Sequence, residues 1–227
     1  MSAAGWAAAT VALYAAARAL YRRSGAVFLS PLLLAPAALV ALLLGFHVPY
    51  ARYMQGGEPL GRVLGPVTVA FALPLYRQRS LLRRHAVELG AGLLVGSLVA
   101  VSSSLALAWA AGLDGVAARS MAPRSVTTPL AMLAASTLGG VPSLTAVFVI
   151  VTGLVGIVLG RLIVERLPLR SPLARGALLG LGAHGAGTAE AMQLGALEGA
   201  VAGLVMICAG LLLLAGAPAL RMVLGAV

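Results

Sequence analysis

Residues 121–140, MAPRSVTTPLAMLAASTLGG, decide the architecture, because this moderately apolar segment separates two long apolar stretches. Pro129 interrupts the segment, and Gly139 and Gly140 end it. Proline and glycine are the residues that weaken a helix most. Such a segment either crosses a bilayer or enters it and returns on the same side. Composition and the positions of the arginines decide between these possibilities.

The composition predicts an integral membrane protein. The 227 residues are 61% hydrophobic and 10% charged, and the mean hydropathy is +1.02, whereas soluble domains carry about 25% charged residues. All 16 basic residues are arginines, and they form short clusters between apolar runs. The net charge of +10 therefore indicates anchoring of loops at a membrane surface, with no nucleic acid as a partner. Apolar runs predict about seven spans, at 5–20, 27–46, 61–76, 85–111, 141–160, 176–193 and 197–220.

Three arginine clusters, at 18–23, 77–84 and 161–175, predict the topology. Arginine favours cytoplasmic loops, so an even number of spans should separate the clusters. Residues 121–140 are therefore predicted to be re-entrant, with the N-terminus outside and the C-terminus inside. This topology leaves four arginines on the outer side: Arg52, Arg62, Arg119 and Arg124.

The same topology predicts an inverted repeat within a single transmembrane domain, 1–227. A helix at 5–20 precedes half-repeats at 27–111 and 141–220, and the middle span of each half is interrupted. Pro66 and Pro74 interrupt one, and several glycines interrupt the other. Paired interruptions in two inverted halves predict a binding site at the midplane of the membrane.

Polar side chains and helix breaks near these interruptions are the candidate site. The predicted substrate-binding residues are Thr68, Ser125, Thr127, Thr128, Ser143, Thr145, His184, Gly185, Gly187 and Thr188. The predicted helix breaks are Pro66, Pro74, Pro129, Gly139, Gly140 and Pro142. Half-helix N-termini favour negative charge, which predicts a small organic anion as the substrate. The alternatives are that the hydroxyls bond to their own helices and that the glycines permit close packing.

His184 and Glu190 are candidates for proton coupling, because an ionisable residue inside a membrane is functional by default. The alternative for Glu190 is a solvated position toward the outer end of its span. Motifs for nucleotide, zinc or thiol chemistry are absent from the sequence, and the single cysteine, Cys208, lies in an apolar run. We therefore expect no enzyme activity, no metal and no cofactor.

Three blocks of the sequence resemble the LrgB/CidB family. They are LGPVTVAFALPLYRQ (64–78), SVTTPLAMLAASTLGGVPSLTAVFVIVTG (125–153) and SPLARGALLGLGAHGAGTAEAMQLGALEGA (171–200). The resemblance implies a multi-pass protein of the bacterial cytoplasmic (inner) membrane, antiholin-like, with a small LrgA/CidA-like membrane partner. The C-terminal part of the plastid glycolate/glycerate translocator is similar, and bacterial relatives are linked to pyruvate transport. Leu133 and Glu190 depart from the family pattern, which commonly has an acidic residue and an arginine there.

Two functional hypotheses follow from the residues and the resemblance. The first is a secondary transporter of small monocarboxylates such as pyruvate, glycolate or glycerate. The second is a holin/antiholin-type regulator of murein hydrolase export and autolysis that acts through association with a partner or in a homo-oligomer. The predicted inverted repeat favours the first, because matched broken helices serve a solute site.

Overall fold

The computed structural model describes residues 2–25, 29–63, 66, 69–70, 72–77 and 79–225, and these residues contain helices and no strand. Thr68 and part of the predicted span 61–76 lie outside the described residues. The described part contains eleven helices: α1 Ala3–Ser24, α2 Pro31–Gly45, α3 Tyr50–Arg62, α4 Ala72–Arg77, α5 Arg79–Arg84, α6 Ala86–Ala110, α7 Gly115–Met121, α8 Thr128–Leu138, α9 Pro142–Arg166, α10 Pro172–Leu194 and α11 Ala196–Gly225.

Four of the described helices, α1, α6, α9 and α11, are long and apolar enough to cross a membrane. Helices α2 and α8 are apolar but shorter. The all-helical membrane class predicted from composition is therefore confirmed. The count of seven spans stays a prediction.

The helix ends follow from local sequence. Ser2 precedes α1, and its hydroxyl accepts a hydrogen bond from Gly5 N at 3.2 Å, the usual N-cap interaction. Helices α1 and α8 are followed by Gly25 and Gly139 with φ 65° and 78°, values that glycine adopts without a Cβ clash. Pro142 is the first residue of α9, where the missing N–H has no helical partner to lose.

The chain divides into two compact units, Met1–Val69 and Ala70–Val227. In the first unit, α1 packs against α2 and α3. Gly56 of α3 lies so close to α1 that an added Cβ would be 2.7 Å from Trp6 Cβ. The Trp6 and Tyr53 rings meet edge to face, with centroids 6.1 Å apart. A small residue therefore sets the spacing of this helix pair.

In the second unit, α11 is the central element, and α6, α8 and α10 pack against it. Its buried residues include Val201, Ala202 and Ala217, each with no exposed surface. Small and β-branched side chains at such positions allow helix backbones to approach closely.

Helix α10 reverses direction at His184, where the backbone has φ 41° and ψ −124°. These values are close to those of the second residue of a type II′ turn. After the turn, Gly187 packs so tightly on Leu179 that an added Cβ would collide with the Leu179 carbonyl oxygen. In a continuous helix, residues eight positions apart would be separated by about 12 Å along the axis. Residues 172–194 therefore form a helical hairpin, which we call hairpin 2.

The first half of hairpin 2 runs parallel to α11. A Cβ added to Gly176 would lie 2.6 Å from Glu198 O, and one added to Gly180 would lie 2.8 Å from Ala202 Cα. From the first contact to the second, the position moves forward by four residues in both helices. The two helices therefore run in the same direction.

The second half of hairpin 2 runs antiparallel to α11. Thr188 Oγ1 lies 3.7 Å from Met206 Sδ, whereas Met192 packs against Gly199. As the chain continues from 188 to 192, its contacts move back toward the start of α11. The interruption predicted in 176–193 is present, but the structure differs from the predicted crossing helix, because the segment returns to the end at which it entered.

Residues 115–138 form a second hairpin, hairpin 1, from α7 and α8, with a tip at 122–127. Ser120 O accepts a hydrogen bond from Thr145 Oγ1 at 2.8 Å, and Arg124 Nη1 donates one to Thr152 Oγ1 at 3.3 Å. From Ser120 in α7 to Arg124 in the tip, the contacts thus shift from Thr145 to Thr152, toward the C-terminal end of α9. It then returns, because Val141 N donates to Ser120 Oγ at 2.8 Å. Residues 115–138 therefore return to the Pro142 end of α9, and the re-entrant course of 121–140 in a membrane stays a prediction.

The two hairpins open at opposite ends of α9. Hairpin 1 opens at the Pro142 end, and hairpin 2 opens at the Arg166 end.

Pro129 is the second residue of α8, so the break in hairpin 1 lies before this proline. Pro66 is a described helical residue, and Pro74 lies within α4. The 27–111 and 141–220 half-repeats stay a prediction.

Candidate functional site

A cavity of about 370 Å³ lies along α9 beside hairpin 1 and the first half of hairpin 2. Its lining is apolar apart from Arg124 and Thr152. The other lining residues are Leu107, Met121, Phe148, Val151, Val155, Gly156, Leu159, Gly160, Ile163, Leu178, Leu179, Gly182 and Ala183.

Arg124 lies in the tip of hairpin 1 and is half-buried. Its hydrogen bond to Thr152 is the only one that its side chain makes with described residues, and its Nε is buried without a partner in that part of the chain. None of the described carboxylates forms an ion pair with it. Arginine keeps its proton in proteins. The cavity therefore contains a positive charge that no described side chain neutralises.

The contact with Thr152 places the Arg124 guanidinium near mid-length of a membrane-length helix, since Thr152 is the eleventh of the 25 residues of α9. Charged groups at such depth are costly and commonly mark a ligand or ion pathway. Sequence reasoning missed this residue, because we counted Arg124 among the outer loop arginines. The sequence did contain a signal for this site residue. Arg124 is the single arginine within 121–140, the segment already predicted to be re-entrant.

His184 fixes the tip of hairpin 2 against α9. It is 5% exposed, and its Nε2 lies 2.9 Å from Val149 O. A carbonyl oxygen only accepts, so Nε2 carries the proton in this bond. Thr188 Oγ1 donates to His184 O at 2.9 Å. The imidazole and this hydroxyl therefore make structural hydrogen bonds.

The tips bring two helix N-termini to the same level of α9. Helix α8 begins at Thr128, directly after the tip of hairpin 1, and Thr127 makes no side-chain cap bond. The second half of α10 begins after His184. Free N–H groups at helix N-termini carry partial positive charge. Together with Arg124, they make this region electropositive.

A small void of about 20 Å³ separates the tip of hairpin 1 from hairpin 2. Ser125, Ser97 and Leu181 line it, and Ser97 Oγ is buried with no hydrogen-bond partner in the described part of the chain. A void of this size accommodates about one water molecule. The predicted residue Ser125 thus lies where the hairpins approach each other.

The other predicted site residues fall into two groups. Thr127 and Thr128 lie at the tip of hairpin 1, and Gly185 and Gly187 follow the tip of hairpin 2. Ser143 is exposed, and Thr145 bonds to Ser120 O near the Pro142 end of α9. These last two side chains lie away from the tips.

Glu190 is buried, and with Glu165 and Gln193 it lines a separate cavity of about 180 Å³. Gln193 Nε2 lies 3.5 Å from Glu190 Oε2. Because hairpin 2 turns back at His184, Glu190 lies at the Arg166 end of α9, not toward the outer end as the sequence predicted. The structure does not bring Glu190 and His184 together. The described residues contain no cluster of three metal-binding side chains.

A family model described as the LrgB-like family matches residues 10–223. The chain belongs to this family. The resemblance of the three sequence blocks is therefore confirmed, and the chain is a multi-pass membrane protein of the LrgB-like family. No solved structure matches it.

Relatives match nearly the whole chain. Uncharacterized protein YwbG of Bacillus subtilis (strain 168) is 44% identical over 209 residues, 92% of this chain and 93% of its own length. Antiholin-like protein LrgB of the same strain is 32% identical over 192 residues, 84% of this chain and 83% of its own length. Antiholin-like protein LrgB of Bacillus cereus (strain B4264) is 31% identical over 84% of both chains.

Proposed function

We propose that this protein is an antiholin-like membrane regulator that controls autolysis by limiting the export of murein hydrolases. The observation that carries the proposal is the 32% identity, over most of both chains, with a relative named antiholin-like. Such names support this function more directly than they support monocarboxylate transport.

Association within the membrane would carry this activity. The side chains of Val87, Leu98 and Val95 on α6 are 81%, 70% and 62% exposed. An apolar face of this kind contacts lipid or the helices of another membrane protein. The partner would be a small LrgA/CidA-like protein or a second copy of this chain.

Secondary transport of small monocarboxylates is the second candidate function, and the cavity at Arg124 is the observation that favours it. Two hairpins that enter from opposite ends of α9 and approach at its mid-length would form a site at membrane depth if α9 crosses the bilayer. Relative movement of the hairpins would expose that site to one side of the membrane and then to the other.

Two measurements on the same chain distinguish these functions. Bacterial cells that lack their own LrgB-like proteins should lyse more slowly, with less murein hydrolase released, when this chain is produced. Purified chain in liposomes should show no saturable uptake of labelled pyruvate, glycolate or glycerate under proton or sodium gradients. Saturable uptake that Arg124→Gln abolishes, with unchanged lysis, would show that the chain acts as a transporter and not as a regulator.

A further inference from the structure

We infer that a second cavity, at the Pro142 end of this unit, binds the phosphate of an anionic phospholipid, with Arg119 as the residue that holds the phosphate. An acyl chain of the lipid would lie on the exposed face of α6. This site is separate from the cavity at Arg124, and the inference depends on neither of the two candidate functions.

The cavity has a volume of about 420 Å³ and lies where the C-terminal ends of α6 and α11 meet the start of hairpin 1. Helices α6 and α11 are both long and apolar enough to cross a membrane. If both cross a bilayer, their shared end lies where the apolar core meets the lipid headgroups. The lining residues are Leu105, Trp109, Leu113, Gly115, Ala118, Arg119 and Leu224.

Arg119 is the one charged residue among the described lining residues of this cavity. Its Nε donates to Gly115 O at 3.0 Å, and it forms no ion pair with a described carboxylate. The carboxylate of Asp114, five residues earlier, accepts a hydrogen bond from Ala117 N at 2.6 Å. The terminal nitrogens of a guanidinium present parallel N–H donors that match phosphate oxygens. One phosphodiester, with a single negative charge, therefore matches this single cation.

The position of Arg119 is not explained by anchoring of a cytoplasmic loop. The arginines at 166–175 lie at the start of α11, where Arg175 forms an ion pair with Glu198. Arg119 shares a cavity with Leu224, at the opposite end of α11. The preference of arginine for the cytoplasmic side explains an arginine-rich end but not an arginine at the other end. An anionic headgroup at that end would offset its charge.

A stripe of exposed apolar residues continues from the cavity along α6. Leu98 lies eleven residues before Trp109, about three helical turns, so both side chains are on one face. They are 70% and 54% exposed. Ser102 lies between them, but its hydroxyl bonds to Leu98 O at 2.8 Å. The stripe spans about 16 Å, close to half of the roughly 30 Å apolar core of a bilayer, so an acyl chain of one leaflet fits it.

The apolar lining favours a lipid over a free phosphate ion. Leu105, Leu113 and Leu224 would remove the hydration of a free ion, which is costly. The same surface suits the glycerol backbone and first methylenes of a lipid. Trp109 places an indole at the level that tryptophan favours in membranes. The described lining contains no carboxylate for an ammonium headgroup, so a headgroup without a cation, as in phosphatidylglycerol, fits best.

Fluorescence quenching in vesicles tests the lipid preference. Trp6→Phe leaves Trp109 as the single tryptophan, and the buried indole N–H that it removes has no partner among the described groups. The chain is reconstituted in phosphatidylcholine with increasing fractions of phosphatidylglycerol whose brominated acyl chains quench nearby tryptophan. Brominated phosphatidylcholine is the reference. We expect phosphatidylglycerol to be enriched about fivefold at Trp109, the effect of one arginine near a membrane surface.

Arg119→Gln in the same background should remove this preference. Arg221→Gln is the matched control, because Arg221 is an exposed arginine at the same end, bonds to Thr137 O at 3.2 Å and does not line the cavity. The control should keep the enrichment. Thermal unfolding of each variant shows whether it is folded. Equal losses in the two folded variants would indicate general attraction to a basic surface and would overturn the role of Arg119.

Competition on the chain with Arg119 intact distinguishes a lipid from a soluble phosphate, and it applies even if Arg119→Gln does not fold. Inorganic phosphate or glycerol 3-phosphate in millimolar excess should leave the quenching by brominated phosphatidylglycerol unchanged. Displacement by either would overturn the lipid assignment in favour of a soluble phosphate compound. Equal quenching by the two brominated lipids would overturn the inference itself, and the lysis assay would still test the antiholin-like function.

Discussion

His184 combines an unfavourable backbone conformation with a buried hydrogen bond. Its φ of 41° places a Cβ-bearing residue where glycine is normally found. The bond from Nε2 to Val149 O stabilises this conformation by joining the turn to α9. The residue therefore determines where hairpin 2 turns, and an imidazole that appeared from sequence to be a substrate ligand has a structural explanation.

Replacing His184 tests the turn directly. Both His184→Ala and His184→Gly lose the bond to Val149 O, but glycine accepts a positive φ without strain. We expect His184→Gly to be more stable than His184→Ala by about 1 kcal/mol in thermal unfolding of the purified protein. In a continuous helix alanine would be the more stable by about the same amount. An Ala-over-Gly order would therefore contradict the hairpin.

At the scale of elements, hairpin 2 closes through glycine contacts. Gly187 lies against the Leu179 carbonyl, and Gly180 lies against the α11 backbone at Ala202. The ion pair between Arg175 and Glu198, with N and O 3.2 Å apart, joins the open end of the hairpin to α11. The glycines that the sequence analysis treated as helix breakers thus divide into a turn-associated group and a packing group.

Gly187→Ala is predicted to destabilise the protein. Its Cβ would collide with the Leu179 carbonyl oxygen, and the two halves of hairpin 2 would have to separate. We expect a loss of about 1–3 kcal/mol in chemical unfolding, the usual cost of overpacking. Gly92→Ala on α6 is the control, and it should be neutral or stabilising by up to about 1 kcal/mol. Equal effects of the two changes would show that Gly187 is not packed between the halves.

At the scale of the whole molecule, the hairpins change the expected side of the C-terminus. Leu81 and Leu173 pack on one buried cluster with Leu89 and Val201. The arginines of α5 and those at 166–175 therefore lie at the same end of this unit. Helix α11 begins at that end and leaves it. If arginine-rich loops face the cytoplasm, the C-terminus lies outside, and the C-terminus-inside prediction came from counting hairpin 2 as a crossing.

Reporter fusions check this orientation. Alkaline phosphatase folds and is active outside the cytoplasmic membrane, where its disulfides form. A fusion after Val227 should be active in bacterial cells, and a fusion after Arg170 should be inactive. Equal activity of the two fusions would mean that residues 172–194 cross the membrane, and the opposite pattern would mean that the basic end faces outward.

Much of the fold was predictable because it depends on local properties. Apolar composition predicted a membrane protein, and Gly139 predicted the end of α8. The re-entrant course of 121–140 within a membrane stays a prediction. Arg124 was not identified as a site residue, because a charged residue between apolar runs is usually a loop anchor. Its environment depends on Thr152, which is 28 residues away in the sequence.

The sequence by itself determined the class of protein and the family, and it predicted the starts of α6, α9 and α11 to within one residue. Each depends on residue type and short-range spacing. Tertiary structure alone decided that 172–194 folds back and that Arg124 faces an apolar cavity near mid-length of α9. The physical reason is that an apolar run has the same hydropathy whether it crosses a bilayer or turns within it. The turn depends on distant contacts, His184 with Val149 and Gly187 with Leu179, that hydropathy and periodicity do not contain.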